Sequence, residues 1–438
     1  MPPRTPRQLL LICGLSLAVA AGAAAQPPDL PPPTRAPFPA PAVQRGDVIT
    51  RYNLGEALAI AHQEHPQLGA LRASMNAALL KQRGLGEVKR TASVASAFII
   101  PDYEERMQQS DLGIQAAMAE YAQAQHEVTY AVVRCYFTVV YARAQGKVAK
   151  DLVDQLEVNL EQVKRIVSGK AGGLAGITKN TEDNLLLMVA RARNQLILAE
   201  TGTDRARAAL REAMGLDPTV RVDAADETLP EINADQISRE TVIAHATTRR
   251  GEILLARIGA DVTRLEACAQ WARRFDIMAN TYAAGADIHA RQVPQAMREP
   301  DYRPGAIAPE MPTRLLGKRE TRSATAGLYA ERADEAARQA RSMLGLEADV
   351  GYTRLVQARR NVESSRTASK VAREFVARLH EAAGGKQSKE DLIINEVSAT
   401  QSIASFNEAL YDQIVALANL ERITAGGITV KFAGRYGR

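Results

Sequence analysis

His62 and His65 stand one helical turn apart with Glu64 between them, in the stretch EALAIAHQEHPQLGALR. Side chains three apart share a helix face, so a metal site is the first chemistry to consider. No second ligand cluster completes it, and a similar stretch downstream has arginine or threonine at the corresponding positions. The competing reading is two histidines used in packing or at the surface. Gly169 and Lys170 suggest a phosphate loop. Such a loop opens on a glycine, where this chain has Lys164, and puts Ser or Thr after its lysine, where this chain has Ala171. Cys135 and Cys268 lie in the apolar stretches VVRCYF and LEACAQW. They could pair in an oxidising compartment, or stay as buried thiols. No Ser/His/Asp or Cys/His set stands out, so no catalytic residue, cofactor or metal is expected, and the chain is read as not an enzyme.

What remains is charge beside glycine. KAGGLAGITKNTEDNLLL (170–187) carries Gly172, Gly173 and Gly176, then Thr178, Thr181, Glu182 and Asp183. EAAGGKQSKEDLIINEV (381–397) carries Gly384 and Gly385, then Ser388, Glu390 and Asp391. Glycine clusters allow left-handed backbone and a tight reversal. Thr178 or Thr181, and Ser388, can cap the helices that follow, with the acids in their first turns. Two readings stand: the carboxylates complement helix dipoles, or the tips are a docking and gating end whose carboxylates face an aperture.

The elements that position these tips are very long. From Glu104 to Lys170 there is no proline, and apolar residues recur at three and four: Tyr130, Val133, Phe137, Val140, Ala144, then Leu152, Leu156, Leu160, Val163, Val167. Such a run makes a helix about 100 Å long. Lengths well beyond 25 residues point to coiled-coil-like packing. A returning helix is expected over 181–214, closed by the glycine and proline of GLDP and antiparallel to the first. The pattern then repeats. ETVIAHATTRRGEILLAR (240–257) matches residues 56–72 at an offset of about 184, aligning Arg72 with Arg257. Each repeat reads as a kinked helix pair, a strand-like insert, a long helix, a glycine tip and a returning helix. The first repeat spans 51–218, with its insert at 84–103, long helix 104–170 and tip 169–181. A polar segment, 219–237, connects it to the second, 238–425, with its insert at 275–318, long helix 319–383, tip 383–390 and returning helix 389–424. Residues 426–438 form a tail.

Composition fits this. The chain has 438 residues, 46% hydrophobic, 24% charged and 5% aromatic. Small side chains at helical spacing suit close helix packing. The net charge of +5 is interspersed, and with no basic stripe nucleic acid is not an expected partner. MPPRTPRQ, an apolar run and AGAAAQ read as a signal peptide over 1–25, cleaved after Ala25. Cys13 is preceded by bulky Ile12, which argues against lipidation. Residues 26–50 are proline-rich and extended. No later stretch has the length of a transmembrane helix, so membrane entry would have to use strands.

The repeats resemble the TolC family of outer-membrane efflux proteins. NLGEALAIAHQEHPQL, RRGEILLAR, VVRCYFTVVYARAQGKVAKDLV, ARNQLILAETGTDRARAALREAMGLDP and AGGKQSKEDLIINEVSATQS carry the likeness, through their order, spacing and duplication over residues 50 to 425. The resemblance implies a mainly α fold in which duplicated antiparallel helical hairpins form a trimeric α-helical barrel. The strand inserts would close a shared outer-membrane β-barrel, four strands per subunit. It implies a homotrimer, outer-membrane lipid around the strands, and a periplasmic adaptor protein with an inner-membrane pump at the tips. Asp183 and Asp391 would lie by the closed entrance. The implied function is a passive exit duct for efflux or type I secretion, in the outer membrane and periplasm. One feature departs from the pattern. A membrane strand needs about 9–11 residues, and the first insert holds two only if the barrel is short. A periplasmic helical scaffold without a pore is the alternative.

Overall fold

Asn53 opens the first helix. Its side chain accepts from the Glu56 amide (2.8 Å) while the Glu56 carboxylate accepts from the Asn53 amide (2.9 Å). This reciprocal cap satisfies two of the donors that a helix start leaves unpaired. The structure, a computed structural model, describes residues 49–92, 101–168, 178–233, 236–282, 311–382 and 389–430. All lie in one of two units, Asp47–Arg438. The expected signal peptide and nearly all of the proline-rich segment fall outside the described residues.

Among the described residues eight helices follow in order: α1 (Leu54–Glu64), α2 (Pro66–Ala92), α3 (Tyr103–Val167), α4 (Lys179–Ala213), α5 (Arg239–Arg249), α6 (Gly251–Ala272), α7 (Arg319–Ala382) and α8 (Lys389–Ile423). The described residues also form four short strands: β1 (Thr50–Tyr52), β2 (Val222–Ala224), β3 (Met278–Asn280) and β4 (Arg314–Leu316). The duplication is plain in the lengths. α3 and α7 have 65 and 64 residues, and α4 and α8 have 35 each.

Ion pairs and hydrogen bonds fix how the helices run. α4 is antiparallel to α3, with Arg193 on Glu157 (2.7 Å) and Ala199 against Gly146. α8 is antiparallel to α3, with Thr138 on Tyr411 (2.9 Å) and Gln145 on the Ala404 carbonyl (2.9 Å). α6 runs antiparallel to the first half of α3, from Arg106–Glu266 to Gln123–Gly251. α7 packs against α6 and α8 in turn. α2 lies along the start of α3, through Arg72–Tyr121 and Gln82–Asp111. α4 ends where α2 begins. Gly215, at φ +71, lies against His65, where a Cβ would fall 2.7 Å from the His65 Cα. The unit is therefore a wall of four helical columns: α2 with α4, then α3, then α6 with α8, then α7.

The kinks of the two repeats have different causes. His65 is extended (φ −61, ψ 122) because Pro66 disfavours the helical region for the residue before it. Arg250 is extended (φ −62, ψ 141) with no proline after it. Its side chain is fully buried and meets Glu252 (2.8 Å) and Glu347, which also takes Arg422 (2.7 Å). The next residue can only be small. A Cβ on Gly251 would fall 2.6 Å from the Gln123 Cβ, so α6 starts in direct contact with α3.

The main core lies at this waist. It gathers Leu54 and Leu58 of α1, Val132, Val133, Tyr136, Phe137 and Val140 of α3, Leu210 of α4, Leu355 of α7, and Ile414 and Leu417 of α8. Each such side chain contributes roughly 1.5–3 kcal/mol on burial.

Two expectations change. The insert expected at 84–103 begins later, because α2 continues to Ala92. Gly84 and Gly86 have nothing within 4 Å, so they sit in the exposed helix at about 1 kcal/mol each without breaking it. The strand expected at VASAFII falls on 94–100; of these, 94–100 lie outside the described residues. The connecting segment is also more ordered than its polar sequence suggests. β2 pairs in parallel with β1, Arg51 opposite Asp223. The segment then crosses one face of the wall as a strap. The Asp226 carbonyl accepts from Arg143, Glu231 pairs with Arg366 (2.6 Å), and the Ile232 carbonyl accepts from Gln413 (3.2 Å). In the second insert, β3 and β4 form an antiparallel ribbon with Met278 opposite Leu316.

Replacing Glu347 by alanine leaves Arg250 buried without its α7 partner. The expected cost is about 3–5 kcal/mol, read as a lower denaturation midpoint by far-UV circular dichroism.

Candidate functional site

The two histidines do not converge on a shared ligand position. His62 Nε2 is 2.9 Å from Thr129 Oγ1, whereas His65 Nδ1 accepts from the Gln67 amide at the kink (3.3 Å). Among the described residues, no group of three His, Cys, Asp or Glu side chains is placed to hold a metal. Cys135 is half-buried and Cys268 exposed, both as free thiols. Burial pushes the Cys135 thiol up. Gly169 and Lys170 lie outside the described residues.

At the first tip, Thr178 is the residue before α4, and its amide donates to Thr181 Oγ1 (3.3 Å). Glu182 and Asp183 occupy the first turn and share one cation. Lys179 Nζ is 2.9 Å from Glu182 and 3.7 Å from Asp183. The Glu182 hydrogen bond holds the Lys179 ammonium above its usual range. This lysine was not singled out from the sequence, although it stands three residues before Glu182. Asp183 is exposed and Glu182 half-buried. Gly172, Gly173, Gly176, Gly384, Gly385 and Ser388 lie outside the described residues. Glu390 and Asp391 fall in the first turn of α8, and their side chains are likewise outside the description.

Behind the tip an apolar seam joins three helices. Leu152, Leu156, Leu160 and Val163 of α3 pack on Leu185, Val189 and Ala192 of α4 and on Ile393 of α8. Sequence periodicity had already marked these α3 positions.

The wall has two unlike faces. On α3, Thr129, Tyr136 and Arg143 are seven residues apart and so share one face. Thr129 meets His62 of α1, while Tyr136 and Arg143 meet the strap. Arg134, Thr138, Tyr141 and Gln145 follow one another at four, three and four on the opposite face. Tyr141 stacks on Tyr411 with ring centroids 4.8 Å apart, and burial pushes both phenols up. On α8, Gln401, Ser405, Glu408 and Asp412 form an exposed stripe at the same spacing. Of these, Tyr141, Gln145, Gln401, Ser405 and Glu408 line a groove of 490 Å³. Burial and then the neighbouring Glu408 raise the Asp412 carboxyl above its ordinary value.

The two outermost columns have neighbours on one side only, and both carry exposed apolar side chains. Leu79, Leu80, Leu187, Ile197 and Leu198 belong to α2 and α4, and Leu328, Val371 and Phe375 to α7. The strip is four helices wide and about 100 Å long, with apolar side chains exposed at both lateral edges.

Solved structures share this architecture. The outer-membrane channel OprN matches with a TM-score of 0.61 at 14% identity, over 85% of this chain and 90% of that one. The CmeC outer-membrane channel of Campylobacter jejuni gives 0.61 at 11%, over 86% of each chain. The fold is that of the outer-membrane channels. MtrE of Neisseria gonorrhoeae, described in its open state, gives 0.58 at 13% identity over 86% of this chain and 89% of that one. No family model and no curated protein matches the sequence. The outer-membrane-channel fold therefore rests on three-dimensional agreement, at 11–14% sequence identity.

The raised Asp412 carboxyl means that the folded state binds its proton more tightly. Ionised Asp412 therefore weakens the fold, and the penalty vanishes as pH falls through that raised value. Asp412→Asn is expected to raise the thermal midpoint at pH 7, with the gain disappearing in acid; melting curves across pH check this.

Proposed function

We propose that the chain is one subunit of a trimeric exit duct crossing the periplasm and the outer membrane, part of a tripartite efflux or type I secretion system. The observation that carries this is the open-edged four-column wall. With helices 8–10 Å apart, three copies give twelve columns and a ring about 35 Å across, wide enough to stay hollow. The edge of α7 in one copy would meet the α2 and α4 edge of the next, burying the exposed leucines of both. This is a heterologous contact that closes by rotation. The resemblance of the repeats and the shared fold with outer-membrane channels support the same reading.

In this duct the strap face looks outward, and the polar face with Tyr141, Glu408 and Asp412 lines the lumen. The inserts lead toward the outer membrane. The tips, 169–181 and 383–390, point to the opposite end and dock a periplasmic adaptor coupled to an inner-membrane pump. Glu182 and Asp183, part-neutralised by Lys179, stand at the entrance with Glu390 and Asp391. Gly172, Gly173, Gly176, Gly384 and Gly385, with Thr178 and Ser388, shape the docking turns. The duct catalyses nothing and is driven by its partners. Export by a signal peptide cleaved after Ala25 puts it in place.

Membranes from a Gram-negative host expressing the chain test the reading. The protein is expected to survive a carbonate wash in the outer-membrane fraction and to elute in detergent as a trimer. Release into the soluble periplasm would replace the duct by a poreless scaffold. Replacing Gly384 and Gly385 together by alanine is expected to weaken adaptor co-purification while the trimer persists. Unchanged transport would remove the docking role from that tip.

A further inference from the structure

The end of the wall opposite the tips carries a patch that the duct wall does not use. Phe275 is 96% exposed, Ile277 80% and Leu316 68%, and Trp271 and Met278 are about half exposed. Large apolar side chains grouped this way mark an interaction surface. Their exposure is built into the fold. The fully buried Arg322 donates to the carbonyls of Arg273 (2.6 Å), Gly317 (2.7 Å) and Asp276, so one guanidinium ties down the turn that presents Phe275 and Ile277. The ribbon adds the rest. Ala279 and Leu315, paired with each other, are buried on one face, while Met278 and Leu316 face outward on the other.

The charge around this patch has one sign left over. Asp276 is taken by Arg273 (2.6 Å) and Glu320 by Arg319 (2.8 Å). Arg319 also lies over the Trp271 ring, 4.6 Å from its centroid. Exposed Arg274, Arg314 and Lys318 form no ion pair among the described residues. The described residues stop after Tyr282 and resume at Met311 at this same end, and the 28 residues between lie within the insert expected at 275–318, to which Phe275, Ile277, Met278 and Leu316 also belong.

We infer that this patch is a lipid-facing collar. Trp271, Phe275, Ile277 and Leu316 sit in the interfacial zone of the bilayer leaflet nearest the wall, and Arg274, Arg314 and Lys318 bind the phosphates of anionic phospholipids there. An amphipathic ring at headgroup depth, with cations beside it, is the arrangement that interfaces favour. The collar deepens the duct reading, on which it rests, by fixing where the bilayer stops along the subunit. A second copy of the chain would be the competing occupant, but the unpaired cations favour phosphate.

The chain contains a single tryptophan, so its fluorescence reports on Trp271 alone. Full-length protein would be reconstituted into vesicles of phosphatidylethanolamine and phosphatidylglycerol, with lipid brominated either near the carbonyl end or near the chain end. Shallow bromines are expected to lower Trp271 emission about twofold, and deep bromines less. Replacing phosphatidylglycerol by phosphatidylcholine is expected to weaken the shallow quenching. The triple variant R274Q/R314Q/K318Q should lose that lipid dependence while staying in carbonate-washed membranes. If the protein is membrane-inserted but Trp271 is quenched by aqueous iodide and not by brominated lipid, the collar is overturned and the duct stands. Shielding from both quenchers also overturns it, in favour of a second copy. Loss of the whole protein from washed membranes overturns the duct reading, and the collar with it.

Discussion

A charge cannot be left alone inside a protein, and this wall is organised around one that is not. Arg250 is buried where α5 breaks from α6, and it is held by Glu252 of α6 and Glu347 of α7, with Arg422 of α8 closing the set. Desolvating such a group costs several kcal/mol unless its partners are in place. Three helices, in two columns, must therefore meet at one level. Apolar seams alone leave long helices free to slide by a turn, since one leucine fits much like the next. A buried ion set has one register only.

A second set repeats the device near the end opposite the tips. Arg106 of α3 reaches Glu266 of α6 (3.1 Å), Gln109 donates to the same carboxylate (3.0 Å), and Gln270 passes on to Arg322 of α7 (2.9 Å). Toward the tips the buried seam between α3, α4 and α8 is apolar. The wall is thus pinned at its waist and at its root, and held by α3, α4 and α8 side chains toward the tip.

Much of this was legible in the sequence, and what was missed has a common cause. The long helices show because proline is absent and apolar residues recur at three and four. The duplicated kink shows in residues 56–72 and 240–257. Arg250 did not show, because Glu347 is 97 positions away in sequence and only the fold brings the two together, while Glu252, two residues on, reads by itself as an ordinary surface acid. The pairing of β1 with β2 was hidden for the same reason. The end of α2 was misplaced because GLGEVKRTA reads as a loop, yet an exposed helix tolerates its glycines. At the first tip the acids were visible and their shared lysine was not. Local pattern finds elements and caps, whereas long-range charge finds its partner only in space.

The strap has a consequence for how such a chain drifts over time. Three of the strap's hydrogen bonds to the wall use its own backbone: Arg143 and Gln413 donate to the Asp226 and Ile232 carbonyls, and the Asp226 amide donates to the Tyr136 hydroxyl. A carbonyl is present whatever side chain it carries. Side chains of that crossing that make no contact of their own can change while this hold persists, whereas Asp223, paired with Arg207, and Leu229, packed on the core, are held by their identity. The burden of inheritance then falls on a few gripping residues and on spacing. A lineage built this way can keep its shape long after its letters have stopped matching, which is the condition in which this chain meets the channels it resembles.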